Sequence, residues 1–135
     1  MPPDGFAAAK GRRGKGRFRC LQHDAAELGF ARDASVDAVV SVWSLHEIAH
    51  PSAMLAEARR VLRPGGEALL VDFPKDSLAQ RLWNERYYRV EEVVEMLEAA
   101  EFSEVTGRLI QKGQLIWARG FCPPCTQGGS SRRCS

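Results

Sequence analysis

No apolar run in the chain approaches the roughly 18 residues that a helix needs to cross a bilayer, and the opening Met-Pro-Pro-Asp-Gly carries no apolar core of a secretory signal. Both absences set the expectation of a cytoplasmic protein with no membrane partner. An excess of one charge is lacking too. The 19 Lys and Arg against 17 Asp and Glu leave a net charge of +2, too small for the chain as a whole to be a surface for polyanions. Cysteine is scarce. Of the four, Cys20 opens an apolar stretch, while Cys122, Cys125 and Cys134 fall in a stretch rich in Pro, Gly and Ser. Cys122-Pro-Pro-Cys125 has the spacing of half a zinc site, but with Cys134 it offers three thiolates and no nearby histidine, where structural zinc takes four ligands. No metal is expected, nor a redox role, because a redox pair of this spacing follows a strand at the start of a helix. No internal repeat is present, and 135 residues is the size of one domain.

What charge there is gathers at one end. Lys10, Arg12, Arg13, Lys15, Arg17 and Arg19 crowd a glycine-rich stretch that cannot bury enough surface to offset its ordering entropy. A disordered basic arm is therefore expected over residues 1–17, and a disordered tail with incidental thiols over residues 122–135. Clustered Arg and Lys attract phosphates regardless of sequence, so an interaction protein that contacts nucleic acid through the arm is a rival reading. Phe18 is the only aromatic residue in the cluster, and a solvated arm is the commoner outcome. Nucleic acid is accordingly not the expected partner.

Between these ends the pattern is that of an α/β domain over residues 18–121. Phe18-Arg-Cys-Leu21 alternates and then meets Gln22-His23-Asp24, which predicts a strand ending at a polar loop. Val36-Asp-Ala-Val-Val-Ser-Val-Trp43 is nearly continuous in apolar, β-branched character, as in a parallel strand covered on both faces. Pro51 suits a first helical turn, and Met54, Leu55, Ala58, Val61 and Leu62 follow at helical spacing until Pro64-Gly65-Gly66. Glu67-Ala-Leu-Leu-Val-Asp-Phe73 is another buried-strand pattern, closed by Pro74, which completes a βαβ unit. Val90, Val93, Val94, Leu97 and Ala100 mark a second amphipathic helix after the aromatic-rich connection 82–88. Runs over residues 102–110 and 114–119, joined by Gln111-Lys112-Gly113, predict an antiparallel hairpin at the sheet edge.

The order of these elements and several local motifs resemble the class I S-adenosylmethionine (SAM)-dependent methyltransferases of the ubiquinone/menaquinone type. The matching pieces, which run from Phe18 to Phe121, are His23-Asp24-Ala25-Ala26-Glu27-Leu28-Gly29-Phe30, Val36-Asp37-Ala38-Val39-Val40-Ser41 with Leu45-His46, and Glu57-Ala58-Arg59-Arg60-Val61-Leu62-Arg63-Pro64-Gly65-Gly66. Tyr88-Arg89-Val90-Glu91-Glu92 leading to Ala99-Ala100-Glu101-Phe102 completes them. The resemblance implies a Rossmann-like sheet, SAM as cofactor and methyl transfer to a small-molecule acceptor. It further implies that the Asp24 carboxylate and the Ala25 backbone N–H meet the adenine edge, with capping a turn the other role open to Asp24. Ser41, Val42 and Trp43, ending a parallel strand, would pass along the cofactor, with core packing the other role open to Trp43. His46, Glu47 and His50 form a polar cluster in which His46 or Glu47 could take a proton from the acceptor. In-line transfer from a sulfonium also works by positioning alone. Trp83, Tyr87 and Tyr88 lie where such enzymes close over the acceptor. Pro64-Gly65-Gly66 matches a turn whose role is backbone geometry.

The family's glycine-rich loop after its first strand, and the acidic residue ending its second, have no counterpart. Gly11-Arg-Arg-Gly14-Lys-Gly16 follows no apolar strand and leads into no helix. The expected sheet is therefore incomplete at its N-terminal side, lacking two strands between the one ending near Asp24 and the one ending near Trp43. Three explanations stay open: a truncated version of the domain, a subunit completed by a homodimer partner or by a complementing N-terminal half, and a non-catalytic relative.

Overall fold

The structure is a computed structural model that describes residues 18–124. The predicted basic arm and the Cys125 and Cys134 thiols lie outside the described residues. The apolar run after Ser35 becomes strand β1, Val36–Val42. Helix α1, Pro51–Val61, begins with proline in its first turn and buries Met54, Leu55, Ala58 and Val61 along one face. It passes without a loop into β2, Leu62–Asp72. β1 and β2 pair in parallel, with Ala38 opposite Glu67 and Val42 opposite Val71, as the βαβ reading expected. β2 starts five residues before the sequence pattern placed it, because Pro64-Gly65-Gly66 forms an irregular excursion within the strand rather than a break before it. Gly65 takes φ +85°, the conformation glycine alone adopts without strain. A Cβ on Gly66 would stand 2.9 Å from the backbone oxygens of Arg63 and Asp37.

A six-residue helix α2, Leu78–Trp83, follows, with the Ser77 hydroxyl accepting the Gln80 N–H and Asn84 in the left-handed region ending it. Periodicity does not reveal it, since Leu78, Leu82 and Trp83 are exposed and leave no apolar stripe against the core. Helix α3, Val90–Ala99, starts where Glu92 accepts the backbone N–H of Arg89 at 2.8 Å. The hairpin β3, Ser103–Ile110, and β4, Leu115–Phe121, forms as expected, with β4 inserted against β2 and β3 at the edge. The sheet order is β1-β2-β4-β3; among these described strands the β1–β2 pair is parallel and the other two pairs are antiparallel.

One core joins α1 and α3 to β2 and β4 through Leu55, Leu62, Leu70, Val93, Leu97 and Ile116. Two expectations change. Residues 18–21, read as a strand, are irregular, because no described strand offers them hydrogen bonds. Cys122, placed in the tail, is buried: its N–H donates to Gly66 O, its carbonyl accepts from Gly65, and its Sγ receives Arg59 at 3.2 Å. No described helix is long and apolar enough to cross a membrane.

Candidate functional site

The carboxyl ends of the parallel strands β1 and β2 carry the polar cluster. After β1, Trp43 adopts φ +59°, a conformation costly for a bulky residue, and swings the chain into a single 3-10 turn, Leu45–Glu47. Leu45 is buried and anchors that turn. His46 is thereby set against Asp72, the last residue of β2. The Asp72 carboxylate accepts the His46 backbone N–H at 2.8 Å, His46 Nδ1–H at 2.9 Å and the Phe73 N–H at 2.8 Å. Both side chains are almost fully enclosed, 7% exposed for His46 and 3% for Asp72. Because a carboxylate only accepts, the proton sits on Nδ1, and a neutral ring presents a bare Nε2 outward.

The loop after α2 closes over this pair. Lys75 N–H donates to the Tyr88 carbonyl at 2.9 Å, which returns the chain along β2 and lays Tyr87 on the His46 ring, centroids 4.5 Å apart. Tyr87 is buried. Burial first, and then the charges of Glu85, Asp72 and Glu47, push its phenol above the usual tyrosine range. Phe73 stacks on Trp43 at 5.8 Å and 3°, and meets Trp83 at 6.0 Å and the edge of Tyr87 at 6.1 Å. Trp43 and Trp83 remain more than half exposed, so the cluster offers flat apolar surface to solvent beside the His46–Asp72 pair.

The structure thus brings together His46, Glu47, Trp43, Trp83 and Tyr87 from the expected set, and adds Asp72, Phe73 and Glu85. Tyr88 packs against the core. Ser41 and Ser44 share a hydroxyl hydrogen bond of 2.9 Å, and Val42 is exposed. His50 caps α1 without a side-chain hydrogen bond. Asp72 had a signal in the sequence, an acid closing an apolar strand at the end where α/β sheets bind ligands. Glu85 had none.

Asp24 and Ala25 stand apart. The Asp24 carboxylate accepts the Ala26 N–H at 2.9 Å, and its carbonyl the Glu27 N–H, so it does cap a turn. This segment is stapled to α1: Glu57 accepts the Leu28 N–H at 2.7 Å, and Arg60 reaches Glu57 at 2.7 Å, Asp33 at 2.8 Å and the Leu28 carbonyl at 3.0 Å. The Arg60 hydrogen bond holds the Glu57 carboxyl below its usual range, and Glu57 and Asp33 raise the guanidinium in turn. Among the described residues the second Asp24 oxygen and the Ala25 N–H have no partner, a donor and an acceptor suited to an adenine edge. Among the described residues, nothing resembles a glycine-rich turn into a helix.

A βαβ unit continued by an antiparallel hairpin, with its polar cluster at the carboxyl ends of the parallel strands, is the architecture of a class I methyltransferase half-sheet. The chain belongs to the methyltransferase domain family, whose profile matches residues 3–70. That match begins earlier than the expected Phe18 and ends within β2, so it takes in Asp24, β1, His46 and α1. The fold is similar to a SAM-dependent methyltransferase from Thermotoga maritima, with TM-score 0.65 and 22% identity over 76% of this chain and 62% of that one. A methyltransferase structure from Haloferax volcanii, in complex with the Trm112 methyltransferase activator, gives TM-score 0.67 and 17% identity over 80% and 62%. The cyclase SpnF gives TM-score 0.71 and 19% identity over 90% and 61%. The chain therefore spans about three-fifths of the length of these neighbours. One of them is named for cyclisation, so the fold alone does not decide the reaction. No curated protein sequence matches the chain.

Proposed function

We propose that the chain serves SAM-dependent methyl transfer to a small-molecule acceptor. The observation that carries this reading is the enclosed His46–Asp72 pair beside an exposed aromatic surface, at the carboxyl ends of the parallel strands of a methyltransferase-family chain. When bound, SAM supplies an electrophilic methyl group on a sulfonium. Asp24 and the Ala25 N–H take the adenine edge, and Ser41, Val42 and Trp43 flank the cofactor. Trp83 and Tyr87 present the acceptor, while Tyr88 holds the closing loop through its backbone bond to Lys75. His46 Nε2 receives the proton that an O–H or N–H acceptor sheds on methylation, with Asp72 fixing the tautomer; Glu47, 3.6 Å from Nε2, supports that charge.

A second reading, a methyltransferase subunit completed by a homodimer partner or by a separate N-terminal half, is favoured by the apolar side chains exposed on β1. Isothermal titration of the folded chain with S-adenosylhomocysteine tests the first reading. Micromolar binding that weakens about tenfold or more in Asp24→Ala, the loss of one charge-assisted hydrogen bond, supports it; no heat of binding from the folded chain alone refutes it and leaves the second.

A further inference from the structure

Three lone-pair atoms converge on the outer side of the His46 ring. Nε2 lies 3.6 Å from Glu47 Oε2 and 3.5 Å from Glu85 Oε1, and the three side chains bring one donor atom each within 4.8 Å of one another. Two carboxylates and an imidazole nitrogen whose partner nitrogen donates to Asp72 are all acceptors. Such a trio repels itself unless a cation stands among it.

The spacing separates a proton from a metal ion. A charge-assisted N–H···O bond closes to about 2.7–2.9 Å, and both distances exceed this; Nε2 makes no hydrogen bond among the described residues. Donor atoms bound to one cation at about 2.0–2.2 Å stand about 3.4 Å apart along a tetrahedral edge, close to the 3.6 and 3.5 Å that separate Nε2 from Glu47 and Glu85. The imidazole is more than nine-tenths enclosed, so its aim is fixed before any ion arrives. Asp72 holds it through Nδ1 while itself tied by two backbone N–H groups, the carboxylate–imidazole arrangement that orients histidine ligands and raises their basicity. Glu47 and Glu85 come from different loops and are solvent-accessible, which leaves coordination positions for water or for an acceptor oxygen.

We infer that His46 Nε2, Glu47 and Glu85 form a site for one divalent transition-metal cation, with Asp72 as its positioning residue. One imidazole and two carboxylates suit Mn2+, Fe2+, Co2+ or Zn2+ rather than an oxygen-only or sulfur-seeking ion. A cation on Nε2 takes the lone pair that the proposed function gives to the acceptor's proton, so the inference replaces that one role of His46; it leaves the cofactor contacts untouched, and cofactor binding tests them separately. Mn2+ is the probe, because the thiols of this chain compete for Zn2+ but poorly for Mn2+. The metal-stripped full chain is titrated with Mn2+ while free Mn2+ is followed by electron paramagnetic resonance and the fold by circular dichroism. One bound ion per chain is expected, with affinity reduced about 10–100-fold in Asp72→Asn and lost in the Glu47→Gln, Glu85→Gln double variant, whose exposed side chains leave the core intact. No saturable binding by the folded chain, or binding unchanged in the folded double variant, overturns the site.

Discussion

β1 and β4 are strands of equal length in one sheet, yet they live in different surroundings. Along β4 every second residue, Ile116, Ala118 and Gly120, is buried, and both edges of the strand are hydrogen-bonded. β1 has no buried residue; Val40 and Val42 are 57% and 48% exposed, and one edge pairs with nothing described. The composition of β1 is nevertheless that of a strand covered on both faces. A strand's apolarity reports the surroundings it is written for, and its position reports those it has. Among the described residues, nothing covers the outer edge of β1 or buries its side chains.

The same truncation applied to both strands breaks the comparison most sharply. Ile116→Ala should cost about 2–5 kcal/mol, whereas Val42→Ala should cost about 0.5 kcal/mol or less, both read from urea unfolding of the full chain. A Val42→Ala cost matching that of Ile116→Ala would mean that β1 is covered in solution.

Gly107 sharpens the contrast at the helix-covered face of the hairpin. A Cβ there would meet Val94 Cγ2 at 2.5 Å and Val90 Cγ2 at 3.2 Å, so α3 sits directly on β3. Gly107→Ala should destabilise by about 1–3 kcal/mol through overpacking, while a Cβ at Gly113, in the hairpin turn, would meet nothing.

The smallest effect belongs to the staple between residues 28–33 and α1. Glu57 titrates lower in the fold than its ordinary 4.5 because Arg60 and the Leu28 N–H bond its charged form. Its contribution is complete above the unfolded value and disappears as pH falls through the lower folded value. The partly exposed Arg60–Glu57 pair should contribute about 1 kcal/mol. Comparing urea midpoints at neutral and acid pH should show the native chain losing this increment and Glu57→Gln losing less.

Periodicity made β1, α1, α3 and the hairpin legible, since each repeats apolar residues at the spacing of its own geometry. It failed where long-range partners decide. Residues 18–21 alternate like a strand but find no described strand to pair with, and Pro64-Gly65-Gly66 reads as a turn although β2 carries it as an excursion. The six residues of α2 are too few, and too exposed, to leave a stripe. At the site, His46 and Glu47 were legible as polar residues after an apolar strand, but their partners Asp72 and Glu85 come from β2 and the loop after α2, and only folding brings them together. Cys122 looked like tail because two prolines and a glycine-rich stretch follow it, whereas its backbone pairs with Gly65 and Gly66.

Hydrogen–deuterium exchange of the full chain, with and without S-adenosylhomocysteine, bears most directly on the claim that β1 leads into a cofactor site and lacks the cover that β4 has. The free chain should exchange faster over β1 than over β4, and the ligand should slow exchange at residues 24–28 and 41–47. Equal protection of β1 and β4 in the free chain, or no change on adding the ligand, would contradict it.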